Sequence, residues 1–315
     1  ISAILCLILG NVILRKNEYH QTSDIHISRS MMITLVLSTI SLMIPMSLLT
    51  QKGYHSLWVW PILLIAIFFI VNFIITNRQA THPIVHFHTL FSKKPFVGAT
   101  MAISSHLTLL TGIAGINVYI VRILKLPFDI SLHFYFFFFV GVIITGILKM
   151  FFYSSVGAGF LGTLGSSALL YVSIHWIILG NTINIPLLYI QGLLLGFGAS
   201  MTLVSGSMAT LLDGDLKEAA QRSQTMHTIR NFSAAMLIPI IAYTIKNHIQ
   251  KGTQSIYAEN ITDKMIYLKK LQDVAIDADH QIFLLMIIFN MVMFVSSIIQ
   301  MILGKGRRIT PPRES

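Results

Sequence analysis

Leu57-Trp-Val-Trp-Pro-Ile-Leu-Leu-Ile-Ala-Ile-Phe-Phe-Ile-Val-Asn-Phe-Ile-Ile-Thr76 is a run of twenty residues without one charge. A helix rising 1.5 Å per residue crosses a hydrocarbon core of about 30 Å in about 20 residues, so the run has the length of one span. A membrane β-strand would alternate apolar and polar positions over about ten residues, and this run does not alternate. In lipid every backbone donor and acceptor has to be satisfied within the protein, which leaves the helix. Runs of the same kind recur at 31–50, 96–121, 134–153, 158–179, 186–211, 223–246 and 281–303. Together they predict an all-α fold, a polytopic transmembrane helical bundle.

The composition agrees. Of 315 residues, 54% are hydrophobic and 11% are charged, against roughly a quarter charged in soluble domains. The formal charge of +10 raises the question of nucleic acid. Here the basic residues sit in short connections between apolar runs, the pattern of cytoplasmic loops, and no nucleic-acid partner is expected. The single Cys6 precludes a disulfide framework. The apolar opening Ile1–Leu14 is too short to span and lacks the basic start and cleavage site of a signal peptide. It reads as the end of a helix that begins upstream, so that the chain is N-terminally truncated. The expected division is 1–14 as that partial helix, 15–95 as a central region with two helices, 96–303 as a six-helix bundle and 304–315 as a basic tail.

Orientation follows from lysine and arginine. One set of alternate connections carries Arg15, Lys16 and Arg29, then Arg78, Lys93 and Lys94, then Lys149, then Lys217 and Arg222, then the tail. The opposite set carries Lys52, Arg122 and Lys125 together with the five lysines from Lys246 to Lys270, most of them in the long segment 248–280. The positive-inside rule places the C-terminus in the cytoplasm of a multi-pass protein of the cell membrane. Segment 248–280 reads either as a short helix along the outer surface, from the spacing of Ile256, Ile261, Met265, Leu268 and Leu271, or as a solvated loop.

Several residues inside the spans are candidates for chemistry. At 100° per residue in 96–121, Ser104, Thr108, Thr111, Gly115 and Tyr119 share one stripe, and His106 and Asn117 share nearly the opposite face. A helix with no broad apolar side has to be wrapped by protein or border a watery cavity. His106 near mid-span is either a proton-relay or substrate-contacting ring, or a neutral histidine bonded to a neighbouring helix. Arg230, about two turns into its span, either snorkels to headgroups or serves as an interface ion pair or lining charge. Gln191 and Asn231 are further candidates for the lining. Gly157, Gly159, Gly162 and Gly165, with Gly192, Gly196 and Gly198, predict close helix approach.

Two polar patterns invite enzyme or metal readings. Asp213-Gly214-Asp215 has the spacing of carboxylates that hold a metal on a sugar nucleotide, as in a membrane transferase acting on lipid-linked substrates; a turn leading into a helix capped at Asp215 accounts for it as well. His82, His86 and His88 are either a transition-metal set or an interfacial loop.

The loop His82-Pro83-Ile-Val-His-Phe-His-Thr-Leu90-Phe91-Ser-Lys93-Lys94-Pro-Phe96 and the run Glu218-Ala-Ala-Gln-Arg222-Ser-Gln-Thr-Met-His-Thr-Ile-Arg230-Asn231-Phe resemble two segments of one family. These are the approaches to the seventh and eleventh conventional helices of the fourteen-helix drug:proton antiporters of the major facilitator superfamily, the group of EmrB-type efflux pumps. Runs 31–50 and 57–76 sit where that family has its two extra helices. Lys149-Met-Phe-Phe-Tyr-Ser-Ser155 lacks the acid and arginines of the family's loop there, and Ser233-Ala234-Ala235 replaces its glycines. The resemblance implies proton-coupled efflux of small molecules by alternating access, with protons, a small-molecule substrate, the lipid bilayer and an N-terminal half of the same chain as partners. It implies no enzymatic activity and no cofactor. A non-transporting membrane subunit is the remaining alternative.

Overall fold

A computed structural model describes residues 29–53, 56–80, 83–212, 218–259 and 263–304. Among them there is no strand. The helices are α1 (Arg29–Lys52), α2 (Val59–Gln79), the single turn α3 (Phe87–Leu90), α4 (Lys93–Asn117, continued by a π-helical turn Val118–Ile123), α5 (Phe128–Val156), α6 (Ala158–Trp176), α7 (Ile185–Leu212), α8 (Ala219–Ala258) and α9 (Lys264–Ile302). Each apolar run within the described residues is a helix. Seven of them are long and apolar enough to cross a membrane, and the protein is a multi-pass helical membrane protein.

The long helix outside that seven, α6, shows how lipid reshapes the usual inside-out rule. Its buried stripe is Ala158, Gly159, Leu161, Gly162, Gly165, Ser166, Leu169, Val172, Ser173 and Trp176, while Phe160, Leu164, Tyr171 and Ile174 point outward. Small and hydroxylated residues go inward because tight packing, not apolarity, brings helices together in a bilayer. The glycines act as the sequence predicted. A Cβ added at Gly206 of α7 would lie 2.7 Å from Gly98 O of α4, and one at Gly198 would lie 2.6 Å from Gly165 O of α6.

Six helices form two triplets, α4–α6 and α7–α9. The first helices of the triplets pack on each other, as do the third ones; α4 also packs on α8 and α9, and α7 on α5 and α6. The start of α4 meets the end of α7 at Gly98 and Gly206, so the triplets run in opposite directions. The main apolar cluster, with Met101, Tyr119, Phe134, Trp176, Leu195, Phe283 and Met293, fills the space between them. The left-handed backbone of Gly157 (φ 84°) makes the one-residue turn from α5 to α6.

Segment 248–280 departs from both readings. α8 (40 residues) and α9 (39 residues) simply continue through it, about twice the length that the hydrocarbon requires. They form an antiparallel hairpin beyond the bundle, closed by the Tyr257–Tyr267 ring contact at 6.1 Å and the Glu259–Lys270 ion pair. Asp263 caps α9 by accepting from the N–H of Met265 (2.7 Å) and of Ile266 (3.4 Å). α1 is held against α8: Lys246 Nζ donates to the free carbonyls of Thr50 (2.8 Å) and Gln51 (2.7 Å).

Candidate functional site

The two-faced reading of α4 corresponds to two environments. Ser104, Thr108, Thr111, Gly115 and Tyr119 are all buried in the bundle. Ser105, beside them, shares a 2.6 Å hydrogen bond with Thr202 of α7. His106 and Asn117 on the other side are half-buried. His106 faces α8 closely enough that the Arg230 guanidinium acts on it and on His227. Asn117 lies three turns further along the same face, with the Tyr135 side chain of α5 near it. Arg230 Nε is buried with no hydrogen-bond partner among the described residues.

Three of the candidates therefore share one flank of the bundle, at α4, α5 and α8. The other two do not join them. Asn231 is exposed, turned 100° away from Arg230 by the helical period. Gln191 is 1% exposed inside the bundle, where its Oε1 accepts the Trp176 indole N–H at 2.8 Å. It lines a cavity of about 390 Å³ under the α6–α7 connection, with His175, Leu179, Gly180 and Asn184.

Three residues that matter were not legible in the sequence. Lys149 is no loop residue: α5 runs on to Val156, and Lys149 Nζ donates to Ser200 O of α7 at 2.7 Å, one turn beyond the Thr145 to Phe197 O bond. The apolar residues Met150, Phe151 and Phe152 that follow it were the available signal. Arg222 is 1% exposed and donates to Thr210 O (3.0 Å) and Leu211 O (2.9 Å), capping α7, and pairs with Glu218 at 3.4 Å. Asp279 is a buried carboxylate on α9.

The loop before α4 is tied to its neighbours by hydrogen bonds. Asn77 Nδ2 donates to Val85 O (2.8 Å), Val85 N–H donates back to Asn77 Oδ1 (3.0 Å), and His86 N–H donates to Thr225 Oγ1 (2.8 Å). Burial holds the His86 imidazole below the ordinary histidine value, partly offset by Glu218. No metal-binding group of side chains occurs among the described residues, and His82 lies outside them. Asp213 and Asp215, the basis of the transferase reading and of the cap, also lie outside the described residues, as do the partial helix 1–14 and the tail beyond Gly304.

No family model matches the chain, and no curated protein matches it.

Proposed function

We propose that this protein is a proton-coupled transporter of small molecules, of the major facilitator type, working by alternating access. The observation that carries the reading is the pair of oppositely directed three-helix units with a polar flank. Inverted repeats of this kind place substrate and coupling-ion sites near the bilayer midplane at a repeat interface. In such a protein half-buried polar side chains within a span face a watery cavity. His106, Asn117, Tyr135 and Arg230 would line the substrate path on the flank of α4, α5 and α8, facing a second six-helix half. The loop before α4 and the C-terminus would be cytoplasmic, in the cell membrane, as the distribution of lysine and arginine requires. The two motif resemblances add efflux of drug-like molecules as the direction and cargo.

The test is His106→Gln in the full-length protein. Glutamine keeps a hydrogen-bonding side chain but loses the charge change near neutral pH. Proton-driven efflux falls and its pH profile flattens, while protein level and substrate binding persist. An efflux rate and pH profile equal to the parent's would remove His106 from proton coupling.

A further inference from the structure

Seven acidic side chains lie within the described residues, and six of them have a partner or reach solvent. Glu218 pairs with Arg222, Glu259 with Lys270 and Asp129 with His133; Asp263 caps α9, Asp273 accepts from Asn181 at 3.2 Å, and Asp277 is exposed. Asp279 is the exception. It is 1% exposed, and neither carboxylate oxygen has a hydrogen-bond partner among the described residues. Ile276 and Phe283, one turn away on either side of the same stripe, belong to the main apolar cluster. An ionised carboxylate in such a place loses its water and gains nothing, whereas the neutral acid is a small polar group with one hydrogen to donate.

The neighbours define what Asp279 can answer to. Tyr119, on the π-helical turn after α4, is a titratable side chain near enough to feel the carboxylate, and no lysine, arginine or histidine among the described residues is hydrogen-bonded to it. The Tyr119 hydroxyl is committed to Gly180 O, and the His280 ring is turned to Leu179 O at 2.8 Å. These two contacts hold the α6–α7 connection down over this corner of the bundle. The cavity of about 390 Å³ has Leu179 and Gly180 in its wall. Two of its lining residues carry further buried polar atoms without a partner, His175 Nδ1 and Gln191 Nε2. Polar, roomy and next to the connection, that cavity is the natural place for water to stand.

We propose that Asp279 is a proton-binding site. It holds a proton while α4, α9 and the α6–α7 connection close around it, and it gives the proton up when that connection lifts and water from the cavity reaches the carboxylate. This adds to the transport reading a proton site on the last helix, at the hairpin end, apart from His106. The proton is the ligand, so the proposal can be tested without any substrate, and its failure would leave the His106 test untouched.

The first measurement needs no variant. Dicyclohexylcarbodiimide adds to protonated carboxyl groups in apolar surroundings, and mass spectrometry of the full chain in lipid nanodiscs locates the adduct. Asp279 is modified at mildly acid pH in preference to the exposed Asp129 and Asp277, and the modification declines towards alkaline pH. An unmodified Asp279 would overturn the proposal. The second measurement reads Trp176, whose ring lies 5.3 Å from that of Phe283. With Trp58→Phe and Trp60→Phe it is the sole tryptophan of residues 1–315. Its emission follows pH in the parent, loses that dependence in Asp279→Asn and regains it, with a displaced midpoint, in Asp279→Glu. An unchanged pH dependence in Asp279→Asn would assign the signal to another group and sink the idea. If Asp279→Asn does not fold, the adduct on the parent protein decides.

Discussion

Where α7 stops and α8 begins, the buried Arg222 guanidinium has two backbone carbonyls within 3.0 Å and a carboxylate at 3.4 Å. At the opposite end of the bundle the equally buried Asp279 carboxylate has no partner among the described residues, and Gln191 bonds through one of its two polar atoms. The first end is also stitched by Asn77 to Val85 and by His86 to Thr225, across segments far apart in sequence. A buried charge that is satisfied, as at the Arg222 end, gains little by moving, although His86 Nδ1 nearby has no hydrogen-bond partner among the described residues. A buried carboxylate left unsatisfied is held at a cost that opening to water relieves. Motion in this molecule is thus expected at the hairpin end, with the Arg222 end acting as the fixed hinge side.

The largest effect should come from breaking the satisfied end. Arg222→Ala strips two carbonyls of α7 and leaves Glu218 without its cation, and stability in a reversible mixed-micelle unfolding experiment should fall by about 3 kcal/mol. A loss no larger than that of a surface substitution would erase the contrast between the ends. Gln191→Leu is the matching change at the other end. It gives up the bond to Trp176, worth about 0.6 to 2 kcal/mol in membranes, but removes an unpartnered buried amide. The net change by the same method should stay below about 1 kcal/mol.

The smallest effect is a pH dependence confined to the satisfied end. His86 lies between α2 and α3, outside the spans, and burial keeps its folded-state value below the ordinary 6.5, with Glu218 opposing. The unfolded chain therefore takes up this proton first. The stability that neutral His86 contributes is complete above 6.5 and is lost as pH falls through the lower folded value. Amide protection factors in residues 83–90, corrected for the intrinsic pH dependence of exchange, should fall on acidification in that range, and His86→Gln should abolish the fall. Equal pH dependence in the parent and the variant would refute it.

Local composition settled a good deal. A long apolar run that does not alternate can satisfy its backbone in lipid only as a helix, so every such run within the described residues is one, and the polar stripe of α4 is wrapped by protein. The glycine spacing in α6 and α7 likewise meant close contact whatever the partner. Other features depended on which segments meet. Lys149 has the look of a loop charge in the sequence, whereas the fold sets it against Ser200 O of α7, and Gln191 sits inside the bundle bonded to Trp176 of α6 rather than on the flank of His106. The polar segment 248–280 had the composition of a loop, yet α8 and α9 support each other as a hairpin across Gly252 and Val274, where an added Cβ would come within 2.5 Å. Asp279 carried no local mark at all. A carboxylate near a span boundary is ordinary until the turn after α4 and the connection after α6 are packed over it, and that burial belongs to the contacts of three distant segments rather than to any one of them.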